Sequence, residues 1–114
     1  MYILRCQGNR LYSGITNSLG RRMRAHCGLA KGGAKFTRSY PPEEIMGVWQ
    51  TEKHAVALRF EIQCKKLSHG QKQQLIAYPE EWAVWMPNLT EEKIVSADFS
   101  PLAHYLQEKK PLEF

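Results

Sequence analysis

The sequence predicts an α/β (α+β) protein: a small three-stranded antiparallel sheet flanked by helices, followed by a partly helical C-terminal extension. Three observations predict it. Two β-prone runs, 2–6 and 10–16, flank the turn residues Gln7, Gly8 and Asn9 and read as a hairpin. Two later segments, 17–28 and 52–67, place apolar side chains at helical spacing. Between them the run EIMGVWQ, Glu44 to Gln50, reads as a third strand.

A hairpin turning on Gly8 sets Tyr2 opposite Gly14 and Leu4 opposite Tyr12, which puts the two tyrosines diagonally on one face. Asn17 or Ser18 is placed to cap the first helix, which runs to about Gly28 with Leu19, Met23 and Cys27 on one side. Residues 28–42 hold Gly28, Gly32, Gly33, Pro41 and Pro42 and read as a basic loop. Thr51 reads as the cap of the next helix, from Glu52 to about Leu67. Val56, Phe60, Cys64 and Leu67 form one apolar stripe in it, and Leu58 and Ile62 an adjacent one. Ser68, His69 and Gly70 break that helix, and a short one follows from Gln71 to Ala77.

Past Pro79 the composition changes, so the chain divides into a domain over 1–78 and an acidic extension over 79–114. In the extension, Trp82 and Trp85 read as anchors docking it on the core. Thr90 and Ser100, the latter followed by Pro101, read as helix starts.

With 114 residues the chain has the size of one domain. Its apolar runs, such as Ala55-Val56-Ala57-Leu58, fall far short of the ~20 residues that span a bilayer. No basic-then-apolar leader opens the sequence. The three cysteines, Cys6, Cys27 and Cys64, contain no CxxC pair and read as free thiols. A cytoplasmic protein that makes no use of a membrane is expected.

The charge is one-sided. Residues 1–79 carry thirteen basic and four acidic side chains, while 80–114 carry three and seven. The first 42 residues hold no acid at all. Such a field suits a polyanionic partner, nucleic acid before any other. Arg21, Arg24, Lys31, Lys35 and Arg38 are the candidate phosphate contacts, and Gly14 leaves room beside Tyr2 for a backbone or phosphate to approach. The opposite charge of the extension lets it screen the basic half, or serve as the contact for a homodimer or another protein partner.

Five further residues carry chemistry as a set: Tyr2, Tyr12, Arg22, His26 and Glu61. Arg22 and His26 are four apart and share one helix face. Glu61 is the only carboxylate between Glu52 and Glu80. Cutting a phosphodiester requires a base for water, a cation for the phosphoryl oxygens, a hard metal and a donor or metal for the leaving oxygen, and these side chains suit the roles of base, cation, metal ligand and donor. Each has a plainer reading: the tyrosines as core aromatics, Arg22 as a solvated arginine, His26 as a structural histidine, and Glu61 as a surface partner of Lys65. His54, His69 and His104 have no such company and read as structural.

The blocks Tyr2-Ile3-Leu4-Arg5-Cys6, Leu11-Tyr12-Ser13-Gly14-Ile15-Thr16-Asn17, Arg21-Arg22-x-x-x-His26, Lys31-Gly32-Gly33-Ala34-Lys35-Phe36-Thr37-Arg38 and Ala57-Leu58-Arg59-Phe60-Glu61 together resemble the GIY-YIG nuclease domain. The resemblance covers residues 1–78 and is nearest to the small stand-alone bacterial branch. The name-giving Gly-Ile before the first tyrosine is absent, and Ser13 stands where the second motif has isoleucine. The resemblance implies a Mg²⁺- or Mn²⁺-dependent endonuclease acting on DNA rather than RNA, in repair, recombination or nucleic-acid processing. It implies Tyr12 as general base, Tyr2 as the positioning tyrosine, Arg22 on the phosphate, His26 as hydrogen-bond partner or proton shuttle, and Glu61 as metal ligand. A free tyrosine ionises near pH ~10, so the base needs a neighbouring cation or a metal. The rival readings are a non-catalytic nucleic-acid-binding module and a catalytic subunit active only with a partner, of the junction and flap nuclease type.

Overall fold

The computed structural model describes residues 1–107; the end of the acidic extension, 108–114, lies outside the described residues. Strands β1 (Tyr2–Cys6) and β2 (Arg10–Gly14) form the expected hairpin. Its register is the one a turn on Gly8 dictates, with Tyr2 facing Gly14 and Leu4 facing Tyr12. Helix α1 (Leu19–His26) follows. Ser18 stands at its N-cap but makes no side-chain capping bond. Thr16 organises the entry instead, its Oγ1 accepting from the Ser18 N–H at 3.0 Å. The helix stops where Gly28, at φ 80°, lets Leu29 N–H reach Arg24 O at 2.8 Å and Gly28 N–H reach Ala25 O at 3.2 Å, the paired bonds of a Schellman turn.

The stretch expected to be all loop contains a short helix, α2 (Lys35–Ser39). Strand β3 (Pro42–Gln50) starts earlier than expected, and α3 (His54–Lys65) starts later, because Lys53 rather than Thr51 takes its N-cap position. Helix α4 (His69–Ala77) begins before Gln71. Ser68 Oγ accepts from Gln71 N–H at 3.1 Å, and Gln71 Oε1 accepts from Ser68 N–H at 2.9 Å. That reciprocal box turns the supposed breakers His69 and Gly70 into a first helical turn. No helix starts at Thr90, which closes the second of two 3-10 turns, Pro79–Val84 and Pro87–Leu89. A two-residue strand β4 (Val95–Ser96) and helix α5 (Leu102–Leu106) complete the described chain.

The sheet therefore has four antiparallel strands, not three, in the order β2-β1-β3-β4. Strand alternation gives it two buried faces. Tyr2, Leu4 and Cys6 point to one, where Met23 of α1, Ile45 and Leu102 of α5 pack. Ile3 points to the other, with Trp49, Val56, Phe60 and Cys64. On α3 only the first apolar stripe is buried; Leu58 and Ile62 remain 41% and 45% exposed.

The extension is built into this second core. Trp82, Met86, Leu89 and Ile94 are buried there, and Trp49 Nε1–H donates to Pro79 O at 2.8 Å. No helix among the described residues is long and apolar enough to cross a membrane.

Candidate active site

The site begins with Tyr2. Its ring is 1% exposed, and its hydroxyl lies across Gly14, where an added Cβ would sit 2.4 Å from Tyr2 Oη. Only glycine at that register position lets the ring lie flat on the hairpin. From α1, His26 brings Nε2 to 2.6 Å from Tyr2 Oη, and Arg22 brings Nε to 3.4 Å from the same oxygen. The expected pairing of Arg22 with His26 on one helix face is thus realised on a single hydroxyl. Arg22 also donates from Nη1 to Gly32 O.

Tyr12 completes the cluster, its ring centroid 6.5 Å from that of Tyr2 and 5.2 Å, edge-on, from that of His26. Phe36 of α2 stacks on its far side at 5.5 Å. Tyr12 is half-buried, unlike Tyr2.

Electrostatics follow from this packing. Burial, and then the Arg22 charge, lower the His26 imidazole to about 4, so the ring is neutral near pH 7. Burial raises the Tyr2 phenol to about 12 against the help of Arg22. Burial also opposes the Arg22 charge, but the hydroxyls of Tyr2 and Tyr12 outweigh it and hold the guanidinium above its ordinary range.

Glu61 approaches from another direction than a helix folded over the tyrosine face would give it. Helix α3 packs on the opposite face of the sheet, tied to edge strand β2 by Ser13 Oγ and Cys64 Sγ at 3.4 Å. The Glu61 carboxylate pairs with Lys65 Nζ at 3.2 Å, and its charge still acts on Tyr2. Two adjoining cavities of about 790 and 540 Å³ open beside the cluster, and Glu61 lines neither. Tyr2 lines the first and Arg22 the second; both are lined by Thr16, Asn17 and Ala57. Ala57 lies one helical turn before Glu61 on the same face of α3.

The candidate phosphate contacts scatter. Arg21, Lys31, Lys35 and Arg38 are exposed, the last two on the outer side of α2. Arg24 is half-buried and donates from Nη1 to Tyr105 O of α5 at 3.3 Å. Sequence reasoning did not single out Thr37, which is 1% exposed and places Oγ1 2.9 Å from His26 Nδ1. Its one signal was its position inside the Lys35-Phe36-Thr37-Arg38 block.

This arrangement coincides with a known domain. The GIY-YIG catalytic domain matches residues 1–74, and the chain belongs to that nuclease family. It is 39% identical over 77 residues to a UPF0213 protein of Cupriavidus necator, a stretch covering 68% of this chain and 82% of that one. It is 36% identical over 78 residues to a UPF0213 protein of Halalkalibacterium halodurans, covering 68% and 80%. A UPF0213 protein of Klebsiella pneumoniae is 32% identical over 92 residues, covering 81% and 85%. No solved structure matches the chain.

Nucleases of this family are typically metal-dependent. Among the described residues no three His, Cys, Asp or Glu side chains gather as a ready-made cage. The side chain of Glu61 is 15% exposed and carries one hard oxygen donor group, paired with Lys65. One carboxylate fits a magnesium-like ion, which keeps several waters and takes further oxygens from a substrate phosphate.

Proposed function

We propose that this protein is an endonuclease that hydrolyses phosphodiester bonds, in DNA before RNA, with Mg²⁺ or Mn²⁺ held on Glu61, in repair, recombination or nucleic-acid processing. The observation that carries the reading is the fixed guanidinium of Arg22. It is gripped by Tyr2 Oη on one side and Gly32 O on the other, next to a half-buried Tyr12. An arginine fixed through two donors keeps others free for a phosphate, and it costs little reorganisation when charge develops there.

In this mechanism Arg22 binds the scissile phosphate and stabilises the charge gathering on its non-bridging oxygens. Tyr12, entering the step as the phenolate beside the Arg22 charge, takes the proton of the attacking water as the water oxygen bonds to phosphorus, the ester P–O bond breaks and solvent protonates the leaving oxygen. Tyr2 and His26 hold the arginine in place from beneath. Glu61 would hold the divalent ion, whose chemistry when bound would be Lewis acidity and a lowered pKa of water. The carboxylate itself has a plain purpose under this reading, since without an ion it repels the substrate.

The test is a cleavage assay at low salt with single-stranded, duplex, flap and branched DNA and with RNA, with Mg²⁺ or Mn²⁺ present or chelated. Metal-dependent cutting that is lost in Glu61→Ala and in Tyr12→Phe is the expected result. Binding without cutting, unchanged by Glu61→Ala, overturns the reading in favour of a binding module.

A further inference from the structure

The hydrogen bonds around His26 have a direction, and it can be read from one end. Thr37 has a single hydroxyl hydrogen, and Ala34 O, which can only accept, lies 3.0 Å from Oγ1 and takes it in this hydrogen-bond pattern. Toward His26 Nδ1, at 2.9 Å, Thr37 Oγ1 therefore has only lone pairs to offer. Nδ1 must then carry the ring proton. A neutral ring with Nδ1–H has a bare Nε2, so at the 2.6 Å contact Tyr2 is the donor. With its only hydrogen spent there, Tyr2 Oη turns lone pairs toward Arg22 Nε–H. The chain runs one way, from Arg22 through Tyr2, His26 and Thr37 to the Ala34 carbonyl.

We propose that Thr37 is a positioning residue of the site: it fixes the Nδ1–H tautomer of His26, and through Tyr2 it aims the Arg22 guanidinium. In the opposite tautomer Nε2–H would donate to Tyr2 Oη. The Tyr2 hydrogen would then be left to compete with the Arg22 N–H for space at the same oxygen, and the grip on the guanidinium would fail. The neutral state that the argument needs agrees with the burial of His26 beside the Arg22 cation.

The fold shows how Thr37 comes to be there. An added Cβ on Gly33 would meet Ala25 O at 2.4 Å, so the glycine lets the loop lie directly on α1. Helix α2 then starts at Lys35, turning Phe36 toward Tyr12 and Thr37 toward His26 while Lys35 and Arg38 face out.

The catalytic consequence rests on the nuclease reading above; the tautomer assignment does not. The experiment therefore has two readouts, the ¹⁵N shifts of the His26 ring in the full chain and the kcat and KM of cleavage. Wild type is expected to show a protonated Nδ1 and a bare Nε2. Thr37→Val, equal in shape but unable to accept, is expected to lose that tautomer as the dominant form. Its kcat should fall by about 10–100-fold, as when a hydrogen-bond partner behind a site residue is removed, with KM changed little. Thr37→Ser is expected to restore both. A wild-type ring protonated on Nε2 overturns the proposal without any variant having to fold. So does Thr37→Val with unchanged tautomer, whether kcat holds or falls, because Thr37 would then act only by packing. Should wild type cut nothing, the nuclease reading fails, and the ring spectra still decide the tautomer.

Discussion

Tyr2 Oη and His26 Nε2 lie 2.6 Å apart, both groups buried, at the junction of the hairpin and helix α1. Two chain segments that are far apart in sequence are thereby joined by one polar contact inside an apolar layer. Tyr2→Phe removes the hydroxyl and strands a buried imidazole nitrogen, which typically costs about 1–3 kcal/mol. It also frees Arg22 Nε. The expected outcome is a loss of cleavage on the order of 10²-fold, the scale reached when the donor it positions, Arg22, no longer meets the transition state, with a lowered urea midpoint. Near-wild-type cutting would remove Tyr2 from the site.

Gly14 faces the same hydroxyl across the hairpin. In Gly14→Ala the new methyl would sit 2.4 Å from Tyr2 Oη, so the buried ring would have to shift from its place across the hairpin. Overpacking of this kind costs about 1–3 kcal/mol. Activity should fall in step with Tyr2→Phe, and the double variant should lose little more than either single one, because both act on one contact. Full additivity of the two losses would separate them.

The pH dependence of stability follows from His26. Its folded pKa, lowered to about 4, lies below the ordinary 6.5. Between those values the unfolded chain binds the extra proton, so stability rises with pH through the window and is complete above it. Urea midpoints taken from about pH 4 to 6.5 should therefore climb, and His26→Gln should flatten the climb. A slope unchanged in the variant would assign it to the carboxylates instead.

Much of this was legible in the sequence, for local reasons. The hairpin register followed from one turn, and with it the placing of Tyr2, Tyr12 and Gly14. The shared face of Arg22 and His26 followed from helical spacing. What stayed hidden depends on tertiary packing. Helix α2 is too short to show a period, and its glycine-rich approach looks like a loop until Gly33 is seen against Ala25 O. Strand β4 has two residues and forms only because β3 offers it an edge. Lys53 took the N-cap position that Thr51 suggested, and Ser68 capped a helix that starts before Gln71, since a cap is fixed by where the chain turns. The bond from Arg24 to the Tyr105 carbonyl depends on where α5 packs, which no local pattern shows.

The extension offers the last prediction. A chain ending at Tyr78 would remove Trp82, Met86, Leu89 and Ile94 from the core around Phe60, and would leave Trp49 Nε1–H without the Pro79 carbonyl. Fully burying one such side chain is worth about 1.5–3 kcal/mol. Four of them together match the ~5–15 kcal/mol that holds a typical domain folded. The shortened chain is therefore expected to lose its cooperative urea transition and to bind apolar dyes. Its nucleic-acid binding would then report an unfolded basic chain, not an unmasked site. A sharp transition with a near-native midpoint would give the opposite answer: residues 1–78 would stand alone, and the acidic extension would be free to act as a screen or a partner contact.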